Sequence, residues 1–148
     1  MILDSSIEID ATPAEVWAVF TDVERWSEWT ASVTSLRGLD GAELAVGRRF
    51  VIKQPRMPRL TWEVTSIDPG RSWTWRQHSP GATTLATHDV TPIDGGRTLV
   101  RQRLDQTGTL GALVGRMMRR LSNRYLELEA QGLKTRSEAT ARRDAASA

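Results

Sequence analysis

The sequence predicts an α+β domain in which a curved antiparallel sheet of seven strands wraps around a long C-terminal helix. Residues 32–104 alternate apolar and polar side chains, which is typical of strands with one buried face. Residues 109–134 carry apolar side chains every three or four positions, as an amphipathic helix does. A helix start signal near residue 12 places two short helices after the first strand.

The N-terminal part predicts one strand and two short helices. The strand covers residues 2–10, where isoleucines alternate with acidic residues. Thr12 can then cap a helix, because Glu15 stands at the position that completes a capping box. A second short helical turn is expected to hold Trp26 and Trp29.

Six further strands are separated by clusters of Gly, Pro and Asp. They are predicted at 32–39, 48–53, 60–67, 72–78, 83–91 and 98–104. Connections this short favour antiparallel hairpins. We expect residues 1–136 to form a single domain and residues 137–148, rich in Ala, Arg and Ser, to be a disordered tail.

The last helix is predicted to cover the sheet with one apolar stripe. A span over 109–134 is about 39 Å long at the rise of an α-helix. Met117 and Met118 point about 100° apart, so only one can face the sheet squarely, and Met117 is the one we expect there. The stripe consists of Leu110, Leu113, Val114, Met117, Leu121, Tyr125 and Leu128.

The composition limits the class of protein. There are no cysteines and only two histidines, so we expect no metal site and no cofactor. No apolar run is long enough for an integral membrane segment, and a cytoplasmic protein is expected. The net charge is only +2 and the basic residues are scattered, so nucleic acid is not an expected partner. Nothing in the pattern chooses between a monomer and a homodimer.

One group of arginines on the last helix leaves two interpretations open. Arg116, Arg119, Arg120 and Arg124 form either a solvated helix face or a docking surface for an anionic partner or membrane.

Several motifs, in this order, resemble the START/Bet v 1-like (SRPBCC) superfamily, in particular its polyketide cyclase/dehydrase branch. They are the capped helix start at 12–17, the run Asp-Val-Glu-Arg-Trp-Ser-Glu-Trp at 22–29, the strand at 62–64 leading to Asp-Pro-Gly at 68–70, and the turn at 95–98. The resemblance covers about residues 1–135. It implies a helix-grip fold with an elongated hydrophobic cavity between sheet and C-terminal helix. It does not imply a fixed chemistry, because members bind varied hydrophobic ligands and only some are enzymes.

Strand alternation identifies the side chains that would line such a cavity. The candidates are Trp29, Phe50, Trp62, Trp75, His88, Gln102, Met117 and Leu121. The strand at 83–91 is ambiguous, but we favour its even-numbered residues inside, because the other register buries Asp89 without a partner. An inward His88 is then either a satisfied structural histidine or, as the one candidate catalytic residue, a general acid or base.

Three functional hypotheses remain open from the sequence. The first is binding of a small hydrophobic or aromatic, lipid- or polyketide-like ligand, with or without cyclase/dehydrase activity. The second is a non-catalytic lipid carrier or sensor. The third is a protein-interaction module whose core is filled by Trp62, Trp73, Trp75 and Met117.

Overall fold

The computed structural model describes residues 1–148 and shows the predicted α+β architecture. Its strands are β1 (Ile2–Ile9), β2 (Ser35–Gly38), β3 (Arg49–Lys53), β4 (Leu60–Asp68), β5 (Ser72–Ser79), β6 (Ala82–Ile93) and β7 (Arg97–Thr107). Its helices are α1 (Pro13–Thr21) and α2 (Gly111–Ser147), with short 3-10 helices at Val23–Glu28 and Asp94–Gly96. No helix, α2 included, combines the length and the apolar character needed to cross a bilayer.

The seven strands form one antiparallel sheet in the order β1-β7-β6-β5-β4-β3-β2. Each neighbouring pair from β2 to β7 is a hairpin, as the short connections predict. The strand predicted at 32–39 is only four residues long, because its first residues form a turn. In that turn the Ser32 backbone N–H donates to Thr30 Oγ1 at 3.3 Å, and the two hydroxyls lie 2.8 Å apart.

The predicted capping box at the start of α1 is present. The Glu15 backbone N–H donates to Thr12 Oγ1 at 3.3 Å, and the Thr12 N–H donates to Glu15 Oε1 at 3.0 Å. The 3-10 helix that follows carries Trp26 into the core, where its indole N–H donates to the Phe20 carbonyl at 3.0 Å. These helices cover one end of the inner face of the sheet.

The even-numbered residues of β6 face inward, as predicted. Ala86, His88 and Val90 are buried, whereas Leu85 is exposed. In the register of the sheet, His88 stands opposite Trp73 on β5 and Gln102 on β7. The inner face is completed by Phe50, Ile52, Trp62, Val64, Trp75, Gln77, Val100 and Gln102, all of which are buried.

Helix α2 is longer than predicted. It continues to Ser147, so the segment 137–148 that we expected to be a disordered tail is helical almost to its end. The added turns are held by contacts with the rest of the molecule: Ser137 is completely buried, and Glu138 Oε1 accepts hydrogen bonds from the Asp10 N–H at 3.0 Å and from Lys134 Nζ at 2.7 Å.

The face that α2 turns to the sheet also differs from the predicted stripe. Met117 is 75% exposed, so the expectation that it faces the sheet is wrong, and Leu110 and Leu113 are exposed as well. The N-terminal part of α2 instead packs through Gly111 and Gly115, which are buried. A Cβ on Gly115 would lie 2.6 Å from Gln106 Oε1 and 2.8 Å from the terminal methyl group of Met1, which are the ends of flexible side chains.

Candidate functional site

A cavity of about 400 Å³ lies between the inner face of the sheet and α2. Half of the 28 residues that line it are hydrophobic. The sheet contributes Trp62, Trp75 and Ala86 among others, and α2 contributes Val114, Met118, Ser122, Tyr125, Leu126 and Glu129. The cavity is therefore apolar over much of its wall, with polar side chains at separate points.

The structure places four of the eight candidate ligand residues on the cavity wall. These are Trp62, Trp75, His88 and Gln102. Phe50 belongs to the core behind Trp75, with ring centroids 6.3 Å apart, and Trp29 packs beneath Trp26 at 5.4 Å. Neither Leu121 nor Met117 reaches the cavity; the neighbouring Met118 does.

The tryptophans pack together on one side of the cavity and do not fill it. Trp26 lies 5.7 Å from Trp75 and 6.0 Å from Trp73, measured between ring centroids. Trp62 and Trp75 are 5.4 Å apart with tilted planes. Aromatic pairs at such distances and angles are favourable beyond their burial, so they stabilise the packing of this wall.

His88 is enclosed by this aromatic cluster. Its ring stacks on Trp73 with centroids 3.8 Å apart, and its Nδ1 lies 3.2 Å from the Trp73 carbonyl oxygen. Because a carbonyl only accepts, Nδ1 carries the proton of the neutral ring. Burial lowers the pKa of His88 to about 3, despite the opposing effect of that hydrogen bond. His88 is thus uncharged near neutral pH and has no imidazolium proton to donate there.

Glu129 on α2 is the cavity residue that the sequence analysis missed. Its Oε2 accepts a hydrogen bond from Gln102 Nε2 at 2.8 Å, and its Oε1 accepts one from Ser32 Oγ at 3.3 Å. Burial raises the pKa of Glu129 to about 7, although both hydrogen bonds act in the opposite direction. A carboxyl group that titrates near neutral pH can hold or release a proton inside the cavity.

The sequence did contain a signal for Glu129. It lies three residues after Leu126 and four before Leu133, both buried, so it shares their face of the helix. The predicted stripe, which ran through Leu121 and Leu128, pointed to a neighbouring face. Locating Glu129 required the correct rotation of α2.

Three buried polar atoms on cavity-lining residues have no hydrogen-bond partner. They are Trp62 Nε1, Gln102 Oε1 and Gln106 Oε1. An unpaired buried polar group costs about 1–3 kcal/mol, so each of these atoms is a point at which a bound molecule can gain a hydrogen bond.

The loop between β3 and β4 forms one lip of the cavity. Gln54, Arg56, Met57 and Pro58 line the cavity there. The Tyr125 hydroxyl on α2 donates to the Pro55 carbonyl and ties the loop to the helix.

Comparison with known proteins identifies the family. The family described as "Polyketide cyclase / dehydrase and lipid transport" matches residues 2–138. The chain belongs to this family. No curated protein sequence matches the chain.

Solved structures share the helix-grip fold of this polyketide cyclase/dehydrase family member. A START superfamily protein from Mycobacterium smegmatis has a TM-score of 0.73 at 16% identity, over 94% of this chain and 98% of that one. The protein TTHA0849 from Thermus thermophilus has a TM-score of 0.76 at 20% identity, over 95% and 99%. The hypothetical protein jhp0584 from Helicobacter pylori has a TM-score of 0.80 at 14% identity, over 93% and 88%. At sequence identities this low, the structural similarity shows a shared fold and nothing more.

The site of this family member offers proton transfer and hydrogen bonding in an apolar setting. No group of three or more His, Asp or Glu side chains is arranged to hold a metal ion. Glu129 is the cavity group that titrates near neutral pH, and the amide of Gln102 and the indole of Trp62 provide neutral hydrogen-bonding atoms.

Proposed function

We propose that the protein binds a small hydrophobic or aromatic molecule in the cavity between the sheet and α2. The observation that carries the proposal is the cavity itself, because about 400 Å³ falls within the roughly 300–1,000 Å³ typical of ligand sites. Its wall combines aromatic side chains with a few unpaired polar atoms, which is the composition that holds such ligands in one orientation.

The cavity also argues against the filled-core hypothesis. That hypothesis required Trp62, Trp73, Trp75 and Met117 to occupy the space between sheet and helix. Trp73 is buried within the aromatic cluster and Met117 points to solvent, so the space next to Trp62 and Trp75 stays open. A core filled by these four side chains would leave no cavity of this size between sheet and helix.

The adjacent residues Met117 and Met118 provide a matched test. Met118→Trp places an indole ring in the cavity, whereas Met117→Trp adds the same ring on the solvent side. The fluorescent probe N-phenyl-1-naphthylamine should bind the wild type and Met117→Trp equally, and Met118→Trp at least about tenfold more weakly, a loss of about 1.4 kcal/mol. Equal binding by all three proteins would show that the probe does not enter the cavity.

A second candidate is a carrier that exchanges its ligand at an anionic membrane surface. The observation that favours it is an exposed apolar strip along the first turns of α2, formed by Leu110, Leu113, Val114 and Met117. Arg116, Arg119 and Arg120 lie in the same segment, and no acidic residue precedes Glu127 on this helix. Val114 also lines the cavity, so the strip borders the cavity mouth. Apolar side chains flanked by arginines are the pattern of helices that lie on anionic lipid.

Vesicle co-sedimentation tests this candidate. Binding should be seen with phosphatidylglycerol vesicles, fall with added salt, and be weaker with phosphatidylcholine vesicles. Replacing Arg116 and Arg120 by glutamine should weaken it, whereas the same change at the exposed Arg142 and Arg143 near the far end of α2 should not. Equal effects of the two double variants would mean that net charge, and not this surface, drives binding.

A further inference from the structure

Gln102 and Glu129 form a polar pair on the wall of the cavity. Gln102 comes from the centre of β7 and is only 3% exposed, and Glu129 approaches it from α2. The amide N–H of Gln102 donates to Glu129 Oε2 at 2.8 Å. Since one partner belongs to the sheet and the other to the helix, their distance is fixed by the packing of α2 on the sheet.

The hydrogen-bonding capacity that remains in this pair consists of acceptors. Gln102 Oε1 is buried without a partner. Glu129 forms no salt bridge with any residue, and its only other hydrogen-bond partner is the neutral Ser32 hydroxyl. A buried carboxyl normally has either a cationic partner or a proton of its own.

No charged side chain of the protein serves as the cationic partner of Glu129. Arg56 and Arg103 are the other charged residues on the cavity wall, and neither forms an ion pair with Glu129. His88, opposite Gln102 in the sheet, is neutral near pH 7 because burial lowers its pKa to about 3. Burial likewise raises the pKa of Glu129 to about 7, so the pair is sensitive to what binds beside it.

Building on the proposed ligand-binding function, we propose that the ligand carries a hydrogen-bond-donating head group, a hydroxyl or a protonated amine, that binds between Gln102 Oε1 and the Glu129 carboxyl. The two atoms of an amide lie about 2.3 Å apart, which puts Gln102 Oε1 within about 5 Å of Glu129 Oε2. One head group with hydrogen bonds of about 2.8 Å on either side spans that separation.

The two head groups satisfy the pair in different ways. A protonated amine donates to both residues and supplies the cation that ionised Glu129 lacks, in a cavity whose wall also includes Trp26, Trp62 and Trp75, side chains of the type that attracts cations. A hydroxyl donates to Gln102 Oε1 and accepts the proton of neutral Glu129. Both require the amide oxygen, whereas only the amine requires the charge of Glu129.

Three probes of one shape separate these cases: 2-methylnaphthalene, 2-naphthylmethanol and 2-naphthylmethylamine. Their affinities are measured for the wild type, Glu129→Gln and Gln102→Leu at pH 6, where the alcohol meets neutral Glu129, and at pH 7.5, where the amine meets ionised Glu129. The wild type should bind the alcohol or the amine about tenfold more tightly than the hydrocarbon, the gain expected from one or two good hydrogen bonds. Gln102→Leu should remove that preference. Glu129→Gln should remove it for the amine and leave it for the alcohol.

The hydrocarbon 2-methylnaphthalene distinguishes a failure of the head-group proposal from a failure of the proposed ligand-binding function. If 2-methylnaphthalene binds, is blocked by Met118→Trp, and is bound as tightly as the other two probes, the cavity binds ligands but the head-group proposal is refuted. A preference that survives unchanged in both Gln102→Leu and Glu129→Gln refutes it as well. If no probe binds and Met118→Trp changes nothing, the proposed function fails first. Urea unfolding of each variant checks that the fold is retained, and Glu129→Gln keeps the size of the side chain and the hydrogen bond from Gln102.

Discussion

Replacing Glu129 by glutamine should change how the stability of the protein depends on pH. The pKa of Glu129 is about 7 in the folded protein, because burial disfavours the carboxylate, against a value of 4.5 for an unperturbed glutamate. Between these two values the folded state holds a proton that the unfolded state has lost, so the free energy of unfolding falls as the pH rises. Each pH unit in this window costs about 1.4 kcal/mol, which gives about 3 kcal/mol over the whole window. Glutamine cannot ionise and does not have this cost.

The difference between variant and wild type isolates this effect from all other titrating groups. Urea unfolding followed by tryptophan fluorescence at pH 4.5, 6 and 8 gives the free energy of unfolding of both proteins. Glu129→Gln should gain on the wild type by about 3 kcal/mol between pH 4.5 and pH 8. The same substitution at Glu127, which is exposed on the opposite side of the same helix turn, should give a nearly constant difference. Parallel curves for Glu129→Gln and the wild type would refute the half-buried, cation-free environment assigned to this carboxyl.

Three further predictions concern stability. His88 has the opposite effect: because burial lowers its pKa from 6.5 to about 3, the neutral ring contributes less to the free energy of unfolding as the pH falls below 6.5. The amount by which His88→Gln is less stable than the wild type should therefore shrink by about 2 kcal/mol between pH 6.5 and pH 5 in the same urea assay. A difference that stays constant with pH would contradict a neutral, buried His88 ring. Thr12→Ala should cost about 1 kcal/mol and Thr12→Ser almost nothing, since only alanine removes the cap of α1. Ending the chain after Arg136 should lower the midpoint of thermal unfolding, because it removes the buried Ser137 and the two hydrogen bonds of Glu138, which together contribute roughly 1–3 kcal/mol to the free energy of unfolding. An unchanged midpoint would support the disordered tail that we expected from the composition.

Most of the sheet could be predicted because its pattern is local and redundant. Each strand from β3 to β7 alternates over at least five residues, and the choice of register was constrained by the cost of burying charge, as with Asp89 on β6. The shortening of β2 could not be predicted in this way. It depends on the turn at residues 30–32, in which the Thr30 and Ser32 hydroxyls lie 2.8 Å apart and the Ser32 N–H donates to Thr30 Oγ1, so that these residues do not join the strand.

The face that α2 turns to the sheet was harder to predict, because a pattern of hydrophobic residues gives no signal for buried glycines. Gly111 and Gly115 are buried on the face that α2 turns to the sheet, whereas Met117 points outward and Met118 lines the cavity. Its end was mispredicted for a related reason, because a segment of small and charged residues carries no apolar stripe that indicates packing. The burial of Ser137 shows that this segment packs against the rest of the molecule, which its composition does not indicate.

The error in the face of α2 decided how much of the site was found. Residues on the strands, such as Trp62, Trp75, His88 and Gln102, were placed by alternation alone. Glu129 was missed because its position depends on the helix face. The role open to His88 also depended on surroundings from other elements, since stacking on Trp73 and complete burial are what keep it neutral.

The most direct test of ligand binding in the cavity is an indole N–H NMR spectrum recorded during a titration with 2-naphthylmethanol. The six tryptophans give six side-chain signals, which substitution can assign. Binding in the cavity should shift the signals of Trp62 and Trp75, which line it, and leave that of Trp17, which lies on α1 away from the cavity, in place. The Trp62 signal should move most, because its N–H has no partner in the free protein. A saturable shift of Trp17 with Trp62 and Trp75 unchanged would contradict the assignment of the cavity as the ligand site.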